Sequence, residues 1–451
     1  MRIAASSWDW LRAQLWPIPS LALVVAIVAG VQLPRLDRAV DDRLPRWLSA
    51  VVFDGGPGAA QTVLDAISSS LITVTSLTFS LTVVTLQLAS SQFSPRLLRT
   101  FTRDLFVQAT LALFLATFVF SLAVLRLVRS EDGSDAAFVP RLSVTMAFLL
   151  VVASVFMLVL FLAHLTRTIR VETMLQSVHA EASATVATTL GEKDDAAVPA
   201  PPAPRDAVEL RAGSSGLVTS VSEGRLLRAA VEADAVIAID VRPGDQVVRG
   251  VPVGRAWRHR AITRPGETDE SLTDGVVALA EIATAATDRA VRCGPERTGA
   301  QDISFGLRQL TDVANKALSP GINDPTTAIH AIGHLAALLC DLSEHDLGPR
   351  LVRDDAGAVR LVLARPDFDE LLEVAIGQPR RYGAADPLVL AALYRLLEAL
   401  AHRAPPRHGP VVRTQFERLE RTVGQRDLDD AETAVLHALG SRVRRQLDRS
   451  R

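Results

Sequence analysis

AISSSLITVTSLTFSLTVVTLQLA, residues Ala66–Ala89, runs 24 residues without a charge, enough to cross a bilayer core of roughly 30 Å. Ten of those residues are serine or threonine, and Gln87 adds an eleventh polar group. Their order says more than their number. Ser69, Thr73, Ser76, Ser80, Gln87, Ser90 and Ser94 follow alternating spacings of four and three, broken only by Val83. At 100° per residue they share one helix face. Thr75, Thr78, Thr82 and Thr85 form a second stripe on another face, and Val74, Leu77, Leu81, Val84 and Leu88 form an aliphatic stripe between them. Three faces imply three environments.

Working outward, three further apolar stretches complete a four-helix transmembrane domain over residues 1–170, with spans at about 17–33, 64–90, 105–126 and 140–164. Trp8, Trp10 and Trp16 precede the first span as interfacial anchors. Pro34 and Arg35 follow it with no A-x-A pattern, so it reads as a span and not as a cleaved leader. Arg96, Arg99 and Arg103 lie between the second and third spans, and Arg167 and Arg170 follow the fourth. The positive-inside rule then puts both termini in the cytoplasm, although Arg35, Arg38, Arg43 and Arg46 weigh against it.

Composition narrows the function class. Forty-eight basic residues against 50 acidic give a net charge of −2, so the chain is no nucleic-acid binder by charge. Two cysteines, Cys293 and Cys340, exclude a disulfide framework and a multi-cysteine metal cluster. Only Lys193 and Lys316 are lysine, and with so much alanine this points to a GC-rich bacterial genome. A mean hydropathy of +0.23 beside 22% charged residues reflects the contrast between an apolar first third and a charged remainder.

Beyond the spans, residues 171–205 read as a helical extension ending in the proline-rich linker AAVPAPPAP, Ala196–Pro204. Residues 206–260 read as a small β-rich module. Within it Val241–Gly254, VRPGDQVVRGVPVG, resembles the hairpins of biotinyl- and lipoyl-type carriers but has no lysine to carry the group. Residues 265–345 read as a helical domain with a sharp corner, and residues 346–451 as a β-hairpin followed by C-terminal helices. The fold class is therefore mainly α.

The densest cytoplasmic constellation is QDISFGLRQLTDVANKALSPGINDPTTA, Gln301–Ala328. Arg308, Asp312 and Lys316 stand at i, i+4 and i+8 as a charge ladder on one face. Pro320 and Gly321 stop that helix, Asp324 caps the next, and Pro325 suits its first position. The run reads either as a tight structural corner or as a ligand site using Asp302, Asn323 and Asp324 beside Arg308. His330 and His334 stand at i, i+4 without an acidic residue in catalytic spacing, so no metal site is expected. No phosphate loop, H-E-x-x-H or G-x-S-x-G pattern occurs. Neither an enzyme nor a cofactor is expected.

Several of these runs carry a family resemblance: LQLASSQFSPRLL (Leu86–Leu98), FVPRLSV (Phe138–Val144), VRPGD (Val241–Asp245), SPGINDP (Ser319–Pro325) and RRYGAADP (Arg380–Pro387). The chain resembles a bacterial family described only as predicted membrane proteins with a domain of unknown function, from the first span to about residue 400. That resemblance implies the membrane architecture and assigns no catalytic residue. Pro379 departs from it, standing where the helix over 367–383 should continue.

Two functions remain open at this stage. Hydroxyls on a spanning helix serve either as glue between helices or as the lining of a wet path. A single helix cannot enclose a pore, so the wet path requires a homo-oligomer. The expectation is a homo-oligomeric ion channel or pore of the bacterial inner membrane with a cytoplasmic regulatory domain. The alternative is a membrane-anchored sensor or scaffold whose cytoplasmic part binds a protein or small ligand. The lipid bilayer is the one partner common to both.

Overall fold

The computed structural model describes residues 14, 16–40, 52–92, 104–129, 138–168, 170–190, 200–205, 207–259 and 269–449. It falls into two compact units, Met1–Thr173 and Met174–Arg451.

The first unit holds α1 (Pro17–Val40), α2 (Pro57–Gln92), α3 (Leu105–Leu125) and α4 (Arg141–Thr168), each long and apolar enough to cross a membrane. Half of the apolar window of α3 is buried, against 17–22% for the other three, so α3 is the central helix. At one end Leu64, Ile67 and Leu71 of α2 pack with Phe120 and Val124 of α3 and Val144 and Ala147 of α4. At the other end Val107, Leu111 and Phe161 close a smaller cluster. The outward surface of α1 and α4 is apolar, with Leu21, Val25, Phe156 and Val159 among its exposed side chains. Lipid tails suit such a surface.

Three helices run further than their predicted spans, α4 by four residues to Thr168 and the first two by more. α1 continues past Pro34 to Val40, and α2 is 36 residues long, about 54 Å at 1.5 Å per residue. The extension of α1 has a cause in packing. It carries Asp37 to the start of α4, where Oδ1 accepts the Leu142 amide at 3.0 Å and Oδ2 accepts the Ser143 amide at 3.1 Å and hydroxyl at 2.6 Å. A carboxylate from one helix thus caps the amino terminus of another, where open amides and the helix dipole favour negative charge.

The second unit contains most of α5 (Val171–Leu190), followed by strands and helices around two small sheets. The larger sheet has the order β1-β5-β3-β8-β7, formed by β1 (Val208–Arg211), β3 (Ala235–Ile239), β5 (Pro252–Arg258), β7 (Arg350–Arg353) and β8 (Val359–Leu363). All five residues of β3 are buried, as befits a central strand. It pairs antiparallel with β5 and parallel with β8. The hairpin assigned by sequence to the C-terminal region therefore completes the sheet of the β-rich module. α6 (Glu223–Glu232) and α7 (Asp269–Ala290) contribute Leu226, Ala230, Leu279 and Ala283 to the core with β3. The smaller sheet has the order β4-β2-β6, from β2 (Gly216–Val221), β4 (Gln246–Val247) and β6 (Val291–Gly294). Within residues 265–345, read from the sequence as helical, Val291–Gly294 instead forms β6, paired antiparallel with β2.

The remaining helices are α8 (Phe305–Ala317), α9 (Pro325–Ser343), α10 (Phe368–Tyr382), α11 (Pro387–Arg403), α12 (Gly409–Val423) and α13 (Asp430–Arg449). α10 runs unbroken through Pro379, which sits in its last turn and accepts the closing bond from the Gly383 amide at 2.8 Å.

Candidate functional site

The two polar stripes of α2 have opposite fates. Thr75, Thr78, Thr82 and Thr85 are all under 10% exposed and face the interior of the first unit. Ser69, Thr73, Ser76, Ser80 and Gln87 are exposed. They run down the middle of the outward face, flanked by exposed Ile72 and Phe79 on one side and Leu77, Val84 and Leu88 on the other. The predicted aliphatic stripe is split, since Val74 and Leu81 are only half-exposed. Ser90 lies in the last turn of α2, and Ser94 lies outside the described residues, as do Arg96, Arg99 and Arg103.

Hydrogen bonding separates the faces again. Thr75, Thr82 and Thr85 donate back to the carbonyls of Leu71, Thr78 and Leu81 at 2.6–2.8 Å. On the outward face Thr73 donates to the Ser69 carbonyl at 3.2 Å. Among the described residues, the side chains of Ser69, Ser76, Ser80 and Gln87 have no such bond. One turn above Ser69, on the same side, stands Asp65, the sole ionisable residue between Pro57 and Gln92 and also exposed.

Inside the unit, Thr110, Thr117 and Ser121 of α3 are fully buried, as is Ser154 of α4, whose hydroxyl lies 3.3 Å from that of Thr117. Thr78 Oγ1 and Ser121 Oγ are buried with no hydrogen-bond partner among the described residues. A buried hydroxyl without a partner is better replaced by a methyl of the same shape. Thr78→Val is therefore expected to leave stability unchanged or to raise it by up to about 1 kcal/mol, read as the unfolding midpoint in detergent.

At the end of the unit away from Asp37, Asp104 caps α3 by accepting the Phe106 amide at 2.9 Å, and its second oxygen lies 2.5 Å from His164 Nε2 on α4. The His164 ring rests against Phe106, centroids 4.8 Å apart.

The candidate residues of the second unit do not form one site. Asp302 precedes α8 while Asn323 and Asp324 follow it, and a helix of 13 residues holds its ends about 20 Å apart. Asp302 is buried, accepts the Ser304 amide at 3.1 Å and hydroxyl at 2.8 Å, and pairs with Arg297 Nε. Gly244 of the VRPGD turn has φ +95°, and a Cβ there would collide with this Arg297–Asp302 pair. Asp324 caps α9, accepting the Thr327 amide at 3.1 Å and hydroxyl at 2.5 Å, which holds its carboxyl below the usual range. Asn323 supplies the left-handed residue of the corner at φ +49°. Arg308 and Lys316 of the charge ladder are exposed and Asp312 is half-buried. Asn323 and Asp324 thus belong to the turn between α8 and α9, and Asp302 to the separate turn before α8.

Sequence reasoning missed Asp37, Arg297 and the Asp104–His164 pair. Each is joined to its partner by tertiary packing or an irregular turn, neither of which leaves a periodic signal. No group of three or more His, Cys, Asp or Glu side chains suited to a metal ion occurs among the described residues.

With this geometry in view, comparison with known proteins places the chain. The model of a family described as "Predicted membrane protein (DUF2254)" matches residues 12–399, which takes in all four apolar helices and the chain as far as α11. The chain belongs to that family. It is 34% identical over 445 residues to uncharacterized proteins of Mycobacterium bovis and Mycobacterium tuberculosis, a match covering 98% of this chain and 82% of theirs. No solved structure matches it. Membership makes this a predicted membrane protein and accounts for the four apolar helices.

Proposed function

We propose that this chain forms a homo-oligomeric ion channel in the bacterial cytoplasmic membrane, with α2 nearest the axis, both termini cytoplasmic, and the second unit as its regulatory part. One observation carries the reading: the serine stripe occupies the centre of the outward face of α2. Unbonded hydroxyl and amide groups facing hydrocarbon are each costly by about 1–3 kcal/mol. Neighbouring copies that turn this face toward a shared axis replace hydrocarbon with water and with one another. Rings of hydroxyl groups then stand in for part of an ion's hydration shell without trapping it by full charge. Asp65 contributes a ring of carboxylates at one mouth, so the permeant ions are cations.

In a background with Cys293→Ser and Cys340→Ser, the reconstituted Ser76→Cys and Ser80→Cys variants are expected to react with a charged, water-soluble thiol reagent. Phe156→Cys, facing outward on the apolar surface of α4, is expected to stay protected. Protection of Cys at both serine positions would overturn the reading. So would bilayers that show no conductance, or a reversal potential of anionic sign in a KCl gradient.

A further inference from the structure

α8 and α10 run side by side in the same direction, since Thr311 donates to the Val374 carbonyl at 3.2 Å and Asn315 bonds Gln378 one turn later. Each ends in a tight corner that leads through an Asp-Pro pair into the next helix. Asp324-Pro325 opens α9 and Asp386-Pro387 opens α11, with Asp386 accepting the Leu388 and Val389 amides at 2.8 and 3.1 Å. The two corners, SPGIND and RRYGAAD, therefore stand together at one end of the helical bundle.

That end is apolar at its tips. Ile322 is 40% exposed, Tyr382 61% and Leu388 64%, and Lys316 and Arg381 are exposed beside them. Neither Asp324 nor Asp386 offsets those cations freely, because their carboxylates are engaged as helix caps.

The path of α5 shows which end this is. Thr185 donates to the Gly299 carbonyl at 2.9 Å, and the Thr189 carbonyl accepts from Arg365 at 3.0 Å, so the last turns of α5 lie where α8 and α10 begin. Going back along α5, a Cβ on Gly306 would touch Ala182, and His179 stacks on His334 of α9 with centroids 5.4 Å apart. α5 is 20 residues long, about 30 Å, so its first turn reaches the level of the corners. The chain arrives there directly from the last apolar helix, which ends at Thr168, three residues before α5 begins.

We propose that the paired corners rest on the bilayer surface, with Ile322, Tyr382 and Leu388 at the headgroup boundary and Lys316 and Arg381 on anionic headgroups. An aromatic ring, aliphatic tips and flanking cations are the combination that binds such a surface. Tethering a few residues away keeps the effective concentration of lipid high, so a small patch suffices. The contact requires membrane insertion and does not depend on conduction.

The test uses the full chain in nanodiscs, with Cys293→Ser and Cys340→Ser, and a fluorophore on Ile322→Cys, Leu388→Cys or, as control, Val248→Cys. Val248 belongs to the β-rich module, which adjoins the opposite end of α8 through Gly244 and Asp302, and it is 55% exposed. With nitroxide-headgroup lipid in discs containing phosphatidylglycerol, quenching at 322 and 388 is expected to exceed that at 248 several-fold. Adding Lys316→Glu and Arg381→Glu, or using phosphatidylcholine alone, is expected to remove most of the difference. Equal quenching at all three positions would overturn the proposal. Strong dipolar coupling between spin labels on separate copies, without quenching by lipid, would overturn it in favour of a copy-to-copy contact.

Discussion

Asp37→Ala is expected to destabilise the four-helix unit by about 3 kcal/mol, since it removes a buried carboxylate that accepts three hydrogen bonds at the start of α4. The site is 3% exposed, so water does not replace the lost acceptor for the Leu142 and Ser143 amides. Asp37→Asn keeps one oxygen acceptor but loses the charge that complements the helix dipole, and an intermediate loss is expected. Ser143→Ala removes only the hydroxyl partner, so about 1 kcal/mol is expected. Equilibrium unfolding in mixed micelles gives the ordering. If Asp37→Ala left the midpoint unchanged, the carboxylate would not be capping α4 in the membrane.

Asp302→Ala is expected to cost the second unit about 3 kcal/mol, because it leaves the Arg297 guanidinium largely buried without its carboxylate. The effect should be strongly non-additive. Replacing both partners with apolar residues, as in Arg297→Met with Asp302→Leu, removes the stranded charge and is expected to recover much of the loss. A ligand-binding aspartate would behave differently, since removing a charge held for an absent ligand commonly leaves stability unchanged or raised. The unfolding midpoints of the two single variants and the pair, taken as a double-mutant cycle, therefore separate a structural role from a binding one.

Most of the fold is legible in the chain because it rests on periodicity. The four apolar stretches, the helices from Pro325 to Arg449 and the Asp324-Pro325 start all follow from local spacing and capping. The two stripes of α2 are equally legible as stripes. Their orientation is not, because threonines and serines of similar polarity differ only in whether α3 and α4 pack against them. Asp302 and Asn323 show the converse, looking like one constellation in sequence until the length of α8 separates them. Asp37 gives no warning at all, its partners being more than a hundred residues away. Pro379 does not break α10: only the bond it would have donated back to the Ala375 carbonyl is lost, and the helix continues through it to Tyr382.

The parallel pairing of β3 with β8 bears on how the second unit comes into being. Strand Ala235–Ile239 leaves the ribosome long before Val359–Leu363, and among the described residues three helices and four strands are made in between. Until then one rim of β3, whose five residues are all apolar, stays open, the kind of edge that recruits foreign strands. Closing it across so large a sequence separation is slow. Any fragment that stops after the first β-rich stretch therefore inherits a sticky, half-finished sheet, and the smallest piece with a closed one must reach at least to Leu363.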